Sequence, residues 1–164
     1  MRVDFSGDEI RIYDFDQLEA YRIARKIEGD GIYYYTRMNE EVLKPEIRDV
    51  IETLLADERD HLRLFEQKVE ELAGKKGMVE EGEDLVDIVD SKVMNVLKDS
   101  REVADILCNP QEAVRLGISV ERRSVAFYTQ ILLNTRDKSG KAALKDIIDE
   151  ERNHIKKLEG LLRR

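Results

Sequence analysis

The chain has 164 residues, 39% of them charged, with a formal net charge of −8 and only two prolines. That length suits one domain with a single sizeable core, and an acidic balance in which no Lys/Arg block outweighs the acids around it excludes nucleic acid as an expected partner. No apolar run approaches the roughly 20 residues needed to cross a bilayer, and a single cysteine, Cys108, excludes an intramolecular disulfide and any Cys-x-x-Cys metal site.

A soluble helical protein is therefore expected, and the N-terminal stretch "MRVDFSGDEIRIYDF" shows no secretory signal, which makes the cytoplasm the default location. The first predicted helix spans about 15–40. Its "GIYYYT" run is rich in β-formers, but it aligns with "SVAFYT" inside a longer helical pattern and is assigned to helix. Pro45 suits the first turn of a second helix over about 44–73. There the apolar stripe Ile51, Leu54, Leu55, Leu62 and Phe65 is interrupted by Glu58 and His61. Gly74 and Gly77 are read as its end. Residues 75–109 form a connection, with short amphipathic helix candidates at 83–97 and 101–107. A third helix is predicted over about 110–134. The polar "NTRDKSGK" then leads to a fourth over about 139–162. Its stripe Leu144, Ile147, Ile148, Ile155 and Leu158 is interrupted by Glu151 and His154.

These elements repeat. A shift of 93 residues lays Glu28, Tyr35, Glu58 and His61 on Glu121, Tyr128, Glu151 and His154. Each copy folds at its midpoint into an antiparallel hairpin, and each glutamate then lies about 15 residues from the turn, roughly 22 Å at 1.5 Å per residue. The carboxylates of a hairpin so come to one level in the middle of the bundle. The reading is an all-α, ferritin-like four-helix bundle, one domain over 1–164. It is made of two duplicated hairpins, about 15–73 and 110–162, joined by the long crossover at 75–109.

Four carboxylates and the chain's only two histidines thus converge in the core. Burying unpaired carboxylates costs several kcal/mol each, and no Lys or Arg stands on these stripes to neutralise them. Two divalent cations would do so. One Glu from each of two helices plus Glu-x-x-His from each of the other two is the ligand set of di-metal carboxylate proteins. Glu58 and Glu151 then bridge the metals, Glu28 and Glu121 bind terminally, and His61 and His154 bind one metal each. The same six residues are the candidate catalytic set. Oxygen and nitrogen donors suit iron or manganese, and iron if the chemistry is redox. Asp57 and Glu150 are candidates to accept a hydrogen bond from a ligand histidine. Tyr35 and Tyr128 are either hydrogen-bonding or radical residues beside the metals, or core tyrosines with a bonded hydroxyl. Gly31 and Ser124 either leave room for a small oxygen ligand or ease helix packing. Glu19 and Glu112 read as solvated first-turn residues, and Cys108 as inert.

The segments "IEGDGIYYY", "DERDH", "VERRSVAFY" and "EERNH" resemble the rubrerythrin-type branch of the ferritin-like superfamily. The resemblance covers nearly all of the chain except the first dozen residues and the connection. It implies a di-iron centre that reacts with hydrogen peroxide or dioxygen. The family pattern also carries a four-cysteine rubredoxin-like iron site and an extra glutamate ligand on the third helix. Here Cys108 is the only cysteine, and Ile118 and Ser124 occupy the positions three away from Glu121. No Gly-rich flavin or nicotinamide fingerprint stands in for the missing redox centre. The expected function is a di-iron oxidoreductase fed by an external donor such as rubredoxin, with a homodimer as the oligomer allowed for. The alternatives are a ferritin-like ferroxidase that handles iron, and a structural or interaction bundle with a vestigial site.

Overall fold

The periodic apolar stripes build four helices in the computed structural model, which describes residues 2–6, 9–41, 45–76, 106 and 108–163. They are α1 (Gln17–Glu41), α2 (Pro45–Lys76), α3 (Pro110–Asn134) and α4 (Lys138–Leu162), preceded by strands β1 (Arg2–Ser6) and β2 (Glu9–Tyr13). Short polar side chains start the helices by satisfying their free amides. Asp16 Oδ1 accepts from Glu19 N at 3.0 Å. Asn109 Oδ1 accepts from Gln111 N at 3.1 Å, with Pro110 at the first helical position. Asp137 Oδ2 accepts from Gly140 N at 2.6 Å, and the bonds from Ser139 and Gly140 hold its carboxyl below the usual range. Pro45 opens α2, where its missing N–H costs nothing.

The helices pack as two hairpins, α1 on α2 and α3 on α4, and the hairpins meet along α1–α3 and α2–α4. The hydrogen bonds fix the directions. Tyr34, late in α1, donates to the carbonyl of Ala113, in the first turn of α3, at 2.6 Å. So α3 begins at the end of the bundle where α1 finishes and α2 starts. α2 is 32 residues long, or about 48 Å at 1.5 Å per residue, and it finishes at the other end. Residues 77–109 therefore join opposite ends of the bundle, as a crossover connection must. The core between the hairpins holds Tyr21, Tyr34, Phe65, Phe127, Ile131 and Leu144, all fully buried.

Three details differ from the sequence reading or extend it. α2 runs through Gly74 to Lys76, because one glycine costs a helix only about 1 kcal/mol and the amphipathic turns before it carry the helix on. The candidate helices at 83–97 and 101–107 lie, apart from Ile106, outside the described residues. The N-terminal strands, absent from the sequence reading, pair antiparallel from Arg2↔Tyr13 to Ser6↔Glu9. β2 lies against α3, with Ile10 buried and Ile12 and Phe15 packed on the core. Among the described residues no helix is long and apolar enough to cross a membrane.

Candidate metal centre

Each helix brings its site residues to the level at which the four stripes meet. Glu28 (α1), Glu58 and His61 (α2), Glu121 (α3), and Glu151 and His154 (α4) are all at most 3% exposed. Their donor atoms form two clusters. Glu28, Glu58, His61 and Glu151 form one, and Glu58, Glu121, Glu151 and His154 the other, each with its ligand atoms within 4.8 Å of one another. Glu58 and Glu151 belong to both. His61 Nδ1 lies 3.1 Å from Glu151 Oε1 and 3.4 Å from Glu58 Oε2. His154 Nδ1 lies 3.4 Å from Glu58 Oε1 and 3.5 Å from Glu151 Oε2. The terminal carboxylates stand slightly farther off, Glu28 Oε2 at 3.8 Å from His61 Nδ1 and Glu121 Oε2 at 3.9 Å from His154 Nδ1.

The outer side of each imidazole is tied across the hairpin boundary. His61 Nε2 lies 2.7 Å from Glu150 Oε2, and His154 Nε2 lies 3.0 Å from Asp57 Oδ2. A carboxylate accepts, so Nε2 carries a proton, and whenever the ring is neutral its Nδ1 lone pair faces the cage. This is the geometry in which an imidazole ligates a metal. Lys157 Nζ, 3.6 Å away, also pairs with Asp57. Asp57, Glu150, Asn153, Lys156 and Lys157 line an open groove beside His154.

The α1–α3 wall is different. Tyr35 and Tyr128 are fully buried. Tyr35 donates its hydroxyl to Glu121 Oε1, and Tyr128 donates to Glu28 Oε1. Each bond joins one repeat to the other. Burial, then the charge of Glu121 for Tyr35 and of Glu28 for Tyr128, pushes both phenols well above their ordinary range, so they remain donors. Gly117 lets Tyr35 approach, since a Cβ there would stand 3.3 Å from the Tyr35 hydroxyl. Sequence reasoning does not single out Gly117, and the available signal was its place one turn before Glu121. Ile32 and Val125 also follow the two glutamates by one helical turn. Both are half-buried, and the inward positions one turn on are Gly31 and Ser124. Glu19 and Glu112 stand in the first turns of α1 and α3, and Cys108 is exposed.

The electrostatics of the cage point to cations. Burial, followed by the charge of Glu58, raises Glu28 well above the ordinary carboxyl range. Burial and the charge of Glu151 do the same to Glu121. Burial also works against charge on Glu58 and Glu151, but the neighbouring terminal glutamates and the two imidazoles hold both below the ordinary range. Burial opposes charge on His61 and His154 too, and the facing carboxylates overcome it and raise both. Protons on Glu28, Glu121 and the histidines thus balance the charge of a metal-free cage. Even so, His61 Nδ1, His154 Nδ1 and both carboxylate oxygens of Glu151 are buried without a hydrogen-bond partner, which is unusual for buried polar atoms. Anionic oxygen and imidazole nitrogen, shared between two clusters, is a donor set that fits a pair of divalent cations.

The comparisons with known proteins agree with this chemistry. The family model described as Rubrerythrin matches residues 22–162, which include all six cage residues. No curated protein and no solved structure matches the chain.

Proposed function

The chain belongs to the rubrerythrin family, and on that premise we propose that its cage holds two iron ions and that the protein reduces hydrogen peroxide or dioxygen with electrons from a separate carrier. One observation carries the reading: Glu58 and Glu151 stand in both four-residue clusters, as residues that bridge two metals must. Glu28 and Glu121 would serve as terminal ligands, and His61 and His154 would each ligate one ion through Nδ1. Bound there, two ferrous ions would supply two electrons, which with two protons would cleave peroxide to two waters or reduce dioxygen to peroxide.

The residues of the chain do the rest. Tyr35 and Tyr128 hold the terminal carboxylates from the buried side. Glu150 and Asp57 fix the orientation and tautomer of the imidazoles. Ile27, Leu54, Phe65 and Phe127 are among the fully or nearly fully buried residues of the surrounding core. That core excludes bulk water and so strengthens the electrostatic hold on charge inside the cage. With Cys108 as the only cysteine, the chain has no four-cysteine iron site of its own. The donor is therefore proposed to be a separate small carrier such as a rubredoxin, and the cytoplasm is the setting in which the pair would work.

Stopped-flow mixing tests this reading. The diferrous protein should oxidise once with peroxide and stop. Sustained NADH-driven turnover should appear only when a rubredoxin and its reductase are added. Sustained turnover by the chain alone, or a diferrous protein inert to both peroxide and dioxygen, would overturn the proposal. Continued uptake of ferrous iron far beyond two ions per chain would favour iron handling instead.

A further inference from the structure

Three described glycines are buried in the helices: Gly31, Gly117 and Gly140. Packing explains two of them. A Cβ at Gly117 would stand 3.3 Å from both the Tyr35 hydroxyl and Leu158, and one at Gly140 would stand 3.0 Å from Asp137 and 3.1 Å from the Tyr21 hydroxyl. A Cβ at Gly31 would meet nothing within 4 Å. Packing therefore does not require glycine there, although glycine inside a helix is less stable than alanine.

The position of that room matters. Gly31 comes one turn after Glu28, which stands in the cage, and one turn before Tyr35, which bonds Glu121. Residues at this spacing share a helix face. The repeat counterpart of Gly31 is Ser124, buried and carrying a side chain. The extra room lies on the α1 face one turn from Glu28, which clusters with Glu58, His61 and Glu151. In that cluster, His61 Nδ1 and Glu151 Oε1 stand 3.1 Å apart, buried and without hydrogen-bond partners.

We infer that the space at Gly31 seats the small oxygen ligand, peroxide or dioxygen, on the Glu28–His61 half of the cage, and that Gly31 sets how large a ligand that half accepts. The inference rests on the di-iron reading above. It also makes the two metal positions inequivalent toward ligands although their protein donors are the same.

Azide, a small anionic probe, tests this by absorption titration of the iron-loaded oxidised protein. The variants are Gly31→Ala, Gly31→Leu and Gly29→Ala, with metal content and thermal midpoint measured alongside. Gly29 is the control. It is half-buried, a Cβ there also meets nothing, and it points off the cage face. All three variants should load two ions per chain. Gly31→Ala should weaken azide by about tenfold, the scale of one added methyl in a fitted pocket, Gly31→Leu should weaken it further, and Gly29→Ala should leave it unchanged. The metal-free Gly31→Ala protein should melt no lower than wild type, since its methyl enters open space. If Gly31→Leu fails to fold, Gly31→Ala carries the test. Gly31 variants with two ions and wild-type azide binding would overturn this inference alone, as would an equal loss in Gly29→Ala. A wild-type chain that loads no metal would overturn it together with the proposed function.

Discussion

The two hairpins present the same inner residues and differ one layer out. α1 and α2 give Glu28, Glu58 and His61, and α3 and α4 give Glu121, Glu151 and His154. Beyond them, Gly31 in the first repeat answers Ser124 in the second, Asp57 answers Glu150, and Leu64 answers Lys157. Neither hairpin completes a cluster by itself. The Glu28–His61 cluster takes Glu151 from the other hairpin, its terminal glutamate accepts from Tyr128, and its histidine is tied to Glu150. The exchange is reciprocal. Duplication alone would give two half-sites, and the packing of the hairpins along α1–α3 and α2–α4 lets each finish the other.

The largest effects should come where the halves overlap. Glu58→Ala and Glu151→Ala each remove a residue common to both clusters, so each should reduce metal from about two ions per chain to well under one, and to the same extent. Unequal losses, read by metal analysis, would break the pseudo-symmetry.

Proton competition should act on both halves together. Glu28 and Glu121 sit above the ordinary carboxyl range in the metal-free cage, through burial and then the charges of Glu58 and Glu151 respectively. Both histidines are raised by the carboxylates around them, against the effect of burial. Metal must displace those protons, so apparent affinity should fall as pH falls, by about tenfold per pH unit for each proton released. Titrations at pH 6, 7 and 8 would show it, and a pH-independent affinity would contradict the charge balance described above.

Single-half changes come next. His61→Ala and His154→Ala should each leave about one ion per chain. Complete loss in one variant and none in the other would mean the halves are not equivalent sites. Tyr35→Phe removes the hydroxyl bound to Glu121 and should weaken the Glu121–His154 half, while Tyr128→Phe should weaken the Glu28–His61 half. Losses of such supporting bonds are typically about 10–100-fold in metal affinity. An effect on the half in the tyrosine's own repeat would contradict the crossed hydrogen bonds. The smallest effect belongs to Lys157→Met. It removes a half-exposed ion pair to Asp57, which is worth about 0–1 kcal/mol. The affinity of the His154 half should therefore move by less than about fivefold.

Much of this arrangement is legible in the sequence because helix periodicity and a 93-residue repeat act together. The repeat turns two weak Glu-x-x-His motifs into one register, and it assigns "GIYYYT" to helix against its local β-propensity. The N-terminal strands were harder to see. Their cue is the alternation of Val3 with Phe5 and of Ile10 with Ile12 about Ser-Gly-Asp, too short to separate from a helix end without the α3 surface that β2 packs on. Gly74 is equally a stop signal and an interior helical residue, so the sequence places the end of α2 short of Lys76. Helix faces place the cage donors, but they say little of partners across the bundle. Which tyrosine reaches which glutamate, and that Asp57 and Glu150 serve the opposite hairpin's histidine, depend on how the two hairpins meet. The same is true of the room at Gly31, which appears only when neighbouring atoms are in place.

Metal stoichiometry tests the central claim most directly. The wild-type chain, reconstituted anaerobically with ferrous iron and freed of loosely bound metal, should retain close to two ions per chain. Retention far below one ion per chain would contradict the account.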